Sequence, residues 1–111
     1  MALQVESRQI DTDEEGYLVE PGDWDDAVAR ALARAEGIDL GDDHWRVLRF
    51  MREYYDEHRV AADARFVIRC LADAGHGPGA RARLFELFPY GYVKQACKIA
   101  GMKRPRAWST G

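Results

Sequence analysis

Apolar positions in the first twenty residues alternate weakly, with Leu3, Val5 and Ile10 before an acidic DTDEEG stretch and Tyr17, Leu18 and Val19 after it. Such alternation around a turn-rich segment predicts a short β-hairpin over residues 1–20, with Gly16 at the tight or left-handed position. Two short strands are marginal alone, so the hairpin must lie against other elements. Pro21, Gly22 and Asp23 end it, and Gly22 or Asp23 offers a helix cap.

Beyond this point the period becomes helical. Trp24, Val28, Ala31, Leu32 and Ala35 share one face opposite Arg30 and Arg34, predicting a first helix from about Trp24 to Glu36 that Gly37 stops. A second starts near Asp42 or Asp43, turns Trp45, Leu48, Met51, Tyr54 and Tyr55 towards a core, and ends near His58. The third, residues 63–74, carries Phe66, Val67, Cys70 and Leu71 on its apolar stripe, which makes Cys70 a core residue. GHGPG at 75–79 breaks the pattern as a flexible turn; it lacks the Lys-Ser/Thr ending of a phosphate-binding loop. A short fourth helix packs Leu84, Leu87 and Phe88 and ends at Pro89; a fifth spans about Tyr92 to Ala100, ended by Gly101. Residues 101–111 are basic with little to bury, and are expected to form a mobile arm. The expected fold is mainly α, with about five helices, an N-terminal hairpin and a C-terminal arm.

Length and composition leave that picture intact. The 111 residues, 47% apolar and 32% charged, fit one soluble domain, 1–111, with a single core. No stretch is long and apolar enough to predict a membrane span, and the start lacks a secretory pattern, so a cytoplasmic address is expected. Both cysteines, Cys70 and Cys97, should then be thiols. The three histidines, His44, His58 and His76, are expected to be solvated, as is the acidic cluster Asp13, Glu14 and Glu15. No acid–base pair, metal-ligand spacing or cofactor motif stands out, so neither a cofactor nor independent enzyme chemistry is expected.

Charge does change the picture. The net charge of −3 hides nine acids against Arg8 alone up to Asp26, and no acids at all after Glu86. Lys94, Lys98, Lys103, Arg104 and Arg106 make the end basic. That end could meet an acidic partner protein, a nucleic acid or the chain's own acidic half.

The C-terminal stretch LFPYGYVKQACKIAGMKRPRAW, 87–108, resembles the signature end of the DsrC/TusE family. DEEGYL at 13–18, DW at 23–24 and HWRVLRFMREYYDEH at 44–58 resemble that family too. The resemblance implies a helical fold with a small hairpin and a C-terminal arm that carries sulfur, as a persulfide or trisulfide, between partner proteins. Cys97 matches the first of the family's two cysteine positions and becomes the candidate persulfide site. The second position, eleven residues on, is Trp108, which cannot form a persulfide, and Tyr92 stands where a proline is usual. Lys94, sharing a helical face with Cys97, is a candidate to lower its pKa, whereas Ala96, Ile99 and Ala100 suggest a helix packed on the body with Cys97 half buried. Lys94, Lys98, Lys103, Arg104, Arg106 and Trp108 are candidates for partner binding, with Trp108 as an anchor. The implied partners are sulfur-relay proteins or a sulfite-reductase-like complex, met by a monomer. A regulatory homologue that senses sulfur or binds DNA is the alternative.

Overall fold

The computed structural model describes residues 2–103. Arg104, Arg106 and Trp108, with most of the expected arm, lie outside the described residues.

Strands β1 (Ala2–Val5) and β2 (Arg8–Asp11) pair antiparallel, with Leu3 opposite Ile10 and Val5 opposite Arg8. Val5 and Ile10 are buried. A hairpin lies within residues 1–20 as the alternation predicts, but its second strand leads into DTDEEG instead of following it, and its turn is elsewhere. The chain reverses at Glu6 and Ser7, with Glu6 in the left-handed region at φ 55°, a position that no Gly or Asn announces. The DTDEEG segment instead forms a second loop, closed by the Thr12–Leu18 bridge. The Asp13 carboxylate organises that loop by accepting from the amides of Glu15 (2.9 Å) and Tyr17 (3.0 Å).

A 3₁₀ turn, Pro21–Asp23, leads into Trp24, whose extended backbone keeps it outside any helix. The first helix therefore starts later than its apolar spacing predicts. α1 (Asp26–Ala35) is capped by Asp25, which accepts from the Val28 amide at 2.9 Å; neither Gly22 nor Asp23 is the cap. Its inner face is Val28, Ala29, Leu32 and Ala33. α2 (Asp42–His58) buries Val47, Leu48 and Met51, while Trp45, Tyr54 and Tyr55 are only half-buried. α3 (Ala64–Leu71), capped by Asp63, runs into a π-wound turn, Ala72–His76, and a 3₁₀ turn, Gly77–Gly79. α4 (Ala80–Leu87) follows, with Leu84, Leu87 and Phe88 buried as the pattern requires.

The last element is the most deeply enclosed. Tyr92–Cys97 is π-wound rather than α-helical, and residues 98–99 continue it as α-helix. Tyr92, Val93, Gln95, Ala96, Cys97, Ile99, Ala100 and Met102 are all buried. Fully burying an Ile or Met is worth about 1.5–3 kcal/mol, so the segment is a central member of the core. No helix among the described residues is long and apolar enough to cross a membrane.

Candidate functional site

The C-terminal helix carries the residues singled out for chemistry, and its winding decides which way they face. A π turn places residues five apart on one side, rather than three or four. Tyr92 and Cys97 stand in that relation, and the Tyr92 hydroxyl is hydrogen-bonded to the Cys97 thiol. The same hydroxyl also donates to the Ala62 carbonyl oxygen. Cys97 is 0% exposed. Burial pushes its thiol up to about 12, against a smaller downward pull from the Tyr92 hydrogen bond. Lys94 is exposed, and burial and Tyr92 set the shift of the Cys97 thiol. The π turn moves Lys94 off the face that an α-helical count gives it beside Cys97.

Cys70 departs from expectation in the opposite direction. Val67 and Leu71 take the core-facing positions of α3, while Cys70 and Phe66 are only partly buried. Cys70 lines a surface groove with Trp45, Arg46, Arg49 and Phe50 of α2. Partial burial raises its pKa, and the nearby Arg46 charge offsets some of that. The thiol expected in the core is therefore the one within reach of solvent.

The basic residues divide. Lys98 turns inward onto the acidic half of the chain: its Nζ lies 3.2 Å from Glu36 Oε2 and 5.2 Å from the centre of the Tyr17 ring. Gln95, 1% exposed, donates to Glu36 Oε1 at 3.2 Å and accepts from the Tyr90 amide at 2.9 Å. Both ends of a buried amide are thus paired, as burial demands. Tyr17 secures the same helix by donating to the Val93 carbonyl oxygen at 2.9 Å. Lys94 and Lys103 remain exposed.

Two of the histidines are structural. His44 Nδ1 accepts from the Gly41 amide at 3.0 Å, which leaves Nε2 to donate to the Leu87 carbonyl oxygen at 2.9 Å. The imidazole meets Phe88 edge to face. His76 Nε2 lies 2.9 Å from Asp43 Oδ2, tying the turn after α3 to the start of α2. Only His58 is exposed as expected, its ring against that of Tyr54 at 4.2 Å between centroids and tilted by 40°. Among the described residues no group of His, Cys, Asp or Glu is arranged to hold a metal ion.

Sequence reasoning missed the root of the arm. Arg52, half-way along α2, donates from Nη1 to the Ala100 carbonyl oxygen (3.1 Å) and from Nη2 to that of Pro21 (3.0 Å). Its guanidinium lies 4.8 Å from the centre of the Trp24 ring. Trp24 Nε1 in turn donates to the Ile99 carbonyl oxygen at 2.8 Å. Both residues sit inside stretches that carry the family resemblance, but nothing local in DW or in FMREY shows that they meet at the C-terminal helix.

Residues 4–107 match the family model described as DsrC like protein. The sulfurtransferase TusE of Salmonella paratyphi A is 44% identical over 104 residues, covering 93% of this chain and 95% of that protein. TusE of Yersinia pestis is 43% identical, with coverage of 93% and 95%. The oxidized gamma subunit of dissimilatory sulfite reductase (DsrC) from Archaeoglobus fulgidus superimposes with a TM-score of 0.89 at 30% identity, over 97% of this chain and 99% of that one. Allochromatium vinosum DsrC gives a TM-score of 0.82 at 35% identity, with coverage of 97% and 99%. Sequence and fold agree over nearly their whole length, and the chain belongs to the DsrC-like protein family.

Proposed function

We propose that the chain is a sulfur-trafficking protein that works through its C-terminal segment in a relay between proteins. The observation that carries this reading is the match to sulfurtransferase TusE at 44% identity over 93% of the chain, joined to a DsrC fold at a TM-score of 0.89. Its partners are sulfur-relay proteins, sulfurtransferases or a sulfite-reductase-like complex among them. It meets them as a monomer in the cytoplasm, where its thiols stay reduced. The comparisons lend no support to a regulatory or DNA-binding role.

Cys97 is the thiol that takes sulfur. Its thiolate attacks the outer sulfur of a donor cysteine persulfide; a new S–S bond forms on Cys97, the donor's S–S bond breaks, and the donor leaves as a thiolate. One sulfane sulfur moves, with no net oxidation. Because Cys97 is enclosed and its pKa lies at about 12, the reaction requires the C-terminal helix to loosen when a partner docks. Lys94, Lys103, Arg104, Arg106 and Trp108 supply the docking surface, while Lys98 is engaged with Glu36.

Intact mass after exposure to a sulfane-sulfur donor enzyme tests this, with Cys97→Ser and Cys70→Ser in parallel. One added sulfur atom that disappears only in Cys97→Ser is the expected result. Loss only in Cys70→Ser would move the site to the groove on α2 and α3. No gain, with a TusE protein loading normally alongside, would leave docking as the chain's role.

A further inference from the structure

The last four carbonyls of a helix have no partner within it, and where they find partners shows what the fold invests in that end. In the C-terminal helix all four are accounted for. Cys97 O accepts from the Met102 amide at 3.0 Å and Lys98 O from the Gly101 amide at 3.1 Å. These are the two bonds of a Schellman motif, with Gly101 left-handed at φ +76°. Ile99 O accepts from Trp24 Nε1 and Ala100 O from Arg52 Nη1. The last two donors are side chains 75 and 48 residues away in sequence. Water or a nearby polar side chain satisfies such groups at an ordinary helix end.

The long-range pair also forms one unit. The Arg52 guanidinium covers the Trp24 ring, and its second nitrogen holds Pro21 O, next to the turn that delivers Trp24. Gly101 fits against the same indole so closely that no β-carbon could be added. A cation at a helix C-terminus is also favoured by the helix dipole. Met102 is 1% exposed and Lys103 is exposed, so the chain passes from the clamp to the surface within two residues.

We propose that Arg52, seated on Trp24, is the positioning residue of the C-terminal helix end: together they fix where Met102 and Lys103 bring the chain to the surface, and so where a partner meets it. The proposal rests on the relay reading for what that end of the helix does, though not for where it lies. The planar guanidinium fork reaches two carbonyls at once, which a lysine ammonium on a flexible stem does not reproduce.

Pulsed electron-spin distances test it without any sulfur chemistry. Nitroxides go on Lys103→Cys and Glu57→Cys, both exposed, in a Cys70→Ser background; Cys97, 0% exposed, stays unlabelled. The intact clamp gives one narrow distance population. Arg52→Gln broadens it by about twofold with helix content unchanged, and Arg52→Lys restores it only in part, as the fork geometry requires. Trp24→Phe keeps a ring under Arg52 but loses the bond to Ile99 O, and broadens the population should Arg52→Gln not fold. Unchanged widths in the variants that fold overturn the proposal, as does a starting distribution already as broad as that of Arg52→Gln. Failed sulfur loading with the expected distances removes the relay reading and leaves the clamp; unchanged distances with normal loading do the reverse.

Discussion

Gly101 lies so close to Trp24 that a β-carbon built on the glycine would stand 2.8 Å from the indole Cγ and 2.9 Å from its Cβ, nearer still to Cδ1. The atoms in the way belong to the root of the tryptophan, not to a flexible tip, and the indole is held by its bond to Ile99 O. The residue that ends the C-terminal helix is therefore fixed twice, by a left-handed backbone and by what touches it.

Gly101→Ala should cost about 2–4 kcal/mol, combining the left-handed penalty with overpacking in a filled site. Urea unfolding reads this as a lower midpoint at unchanged slope. If Trp24 is what the β-carbon meets, Trp24→Ala recovers part of the loss in the double variant. A cost within about 0.5 kcal/mol, the usual scale of surface substitutions, would mean that the indole is free to move aside.

The two thiols should differ in the reverse of the order their sequence contexts imply. Iodoacetamide at neutral pH is expected to modify Cys70 in the folded protein and Cys97 only on unfolding, since Cys97 is fully enclosed. Stability follows the same asymmetry. The Cys97 thiol ordinarily titrates at 9.0 and in the fold at about 12. Between those values the unfolded chain gives up its proton first, so stability is full below about pH 9 and falls until about pH 12, by on the order of 4 kcal/mol. Burial shifts Tyr92 upward too, which acts in the same direction. Cys97→Ala should unfold less steeply over that range; an alkaline profile identical to that of the parent would remove the buried thiol as its cause.

What the sequence made legible is what periodicity encodes. Leu48 and Met51 of α2, the inner residues of α4, the presence of an N-terminal hairpin and the stop at Gly101 follow from spacing and from residues with local conformational preferences. The misses share a physical character. Glu6 takes a left-handed turn position that its type does not advertise. Asp25 rather than Asp23 caps α1, a choice among neighbouring acids that only the approach of the chain can settle. Ala96, Ile99 and Ala100 pointed to a packed helix, but full enclosure of Cys97 and the π winding of Tyr92–Cys97 leave no mark in the spacing of YVKQAC. Arg52 and Trp24 reach the C-terminal helix from far along the chain, and a contact of that kind leaves no local trace. The family resemblance was legible because it spans nearly the whole chain, but it says nothing of how enclosed Cys97 is.

Asp43 gathers three basic side chains from separate segments: Arg83 at 3.0 Å, His76 at 2.9 Å and Arg46 at 3.7 Å. Burial acts to raise its carboxyl, but hydrogen bonds from Arg83 and His76, with their charges, hold it below the usual range. A lowered folded pKa means that this contribution is present above the unfolded carboxylate value, about 3.9, and is lost as the pH falls through the lower folded value. Asp43→Asn should therefore lower stability at neutral pH by about 1–3 kcal/mol, the usual worth of charged hydrogen bonds, and flatten the acid limb. Hydrogen exchange should quicken first in the GHGPG turn, which His76 fastens to α2. An acid limb as steep as the parent's would show that other carboxylates govern it.

Lys98 and Glu36 are the one basic–acidic contact between the chain's two charged ends whose partners are both mostly covered, with side-chain exposures of 16% and 21% among the described residues. A solvated pair is worth about 0–1 kcal/mol and fades with salt, whereas an enclosed one is screened far less. The Glu36 carboxylate also accepts from Gln95, so truncating it strands two donors at once, while Lys98→Met keeps most of the stem packed along the Tyr17 ring. Glu36→Ala is accordingly expected to cost more than Lys98→Met. Their double-mutant cycle should give a coupling of about 1–2 kcal/mol that survives high salt. A coupling that vanishes in salt would place the pair among ordinary surface contacts. It would also leave Lys98 available, beside Lys94 and Lys103, to a docking partner.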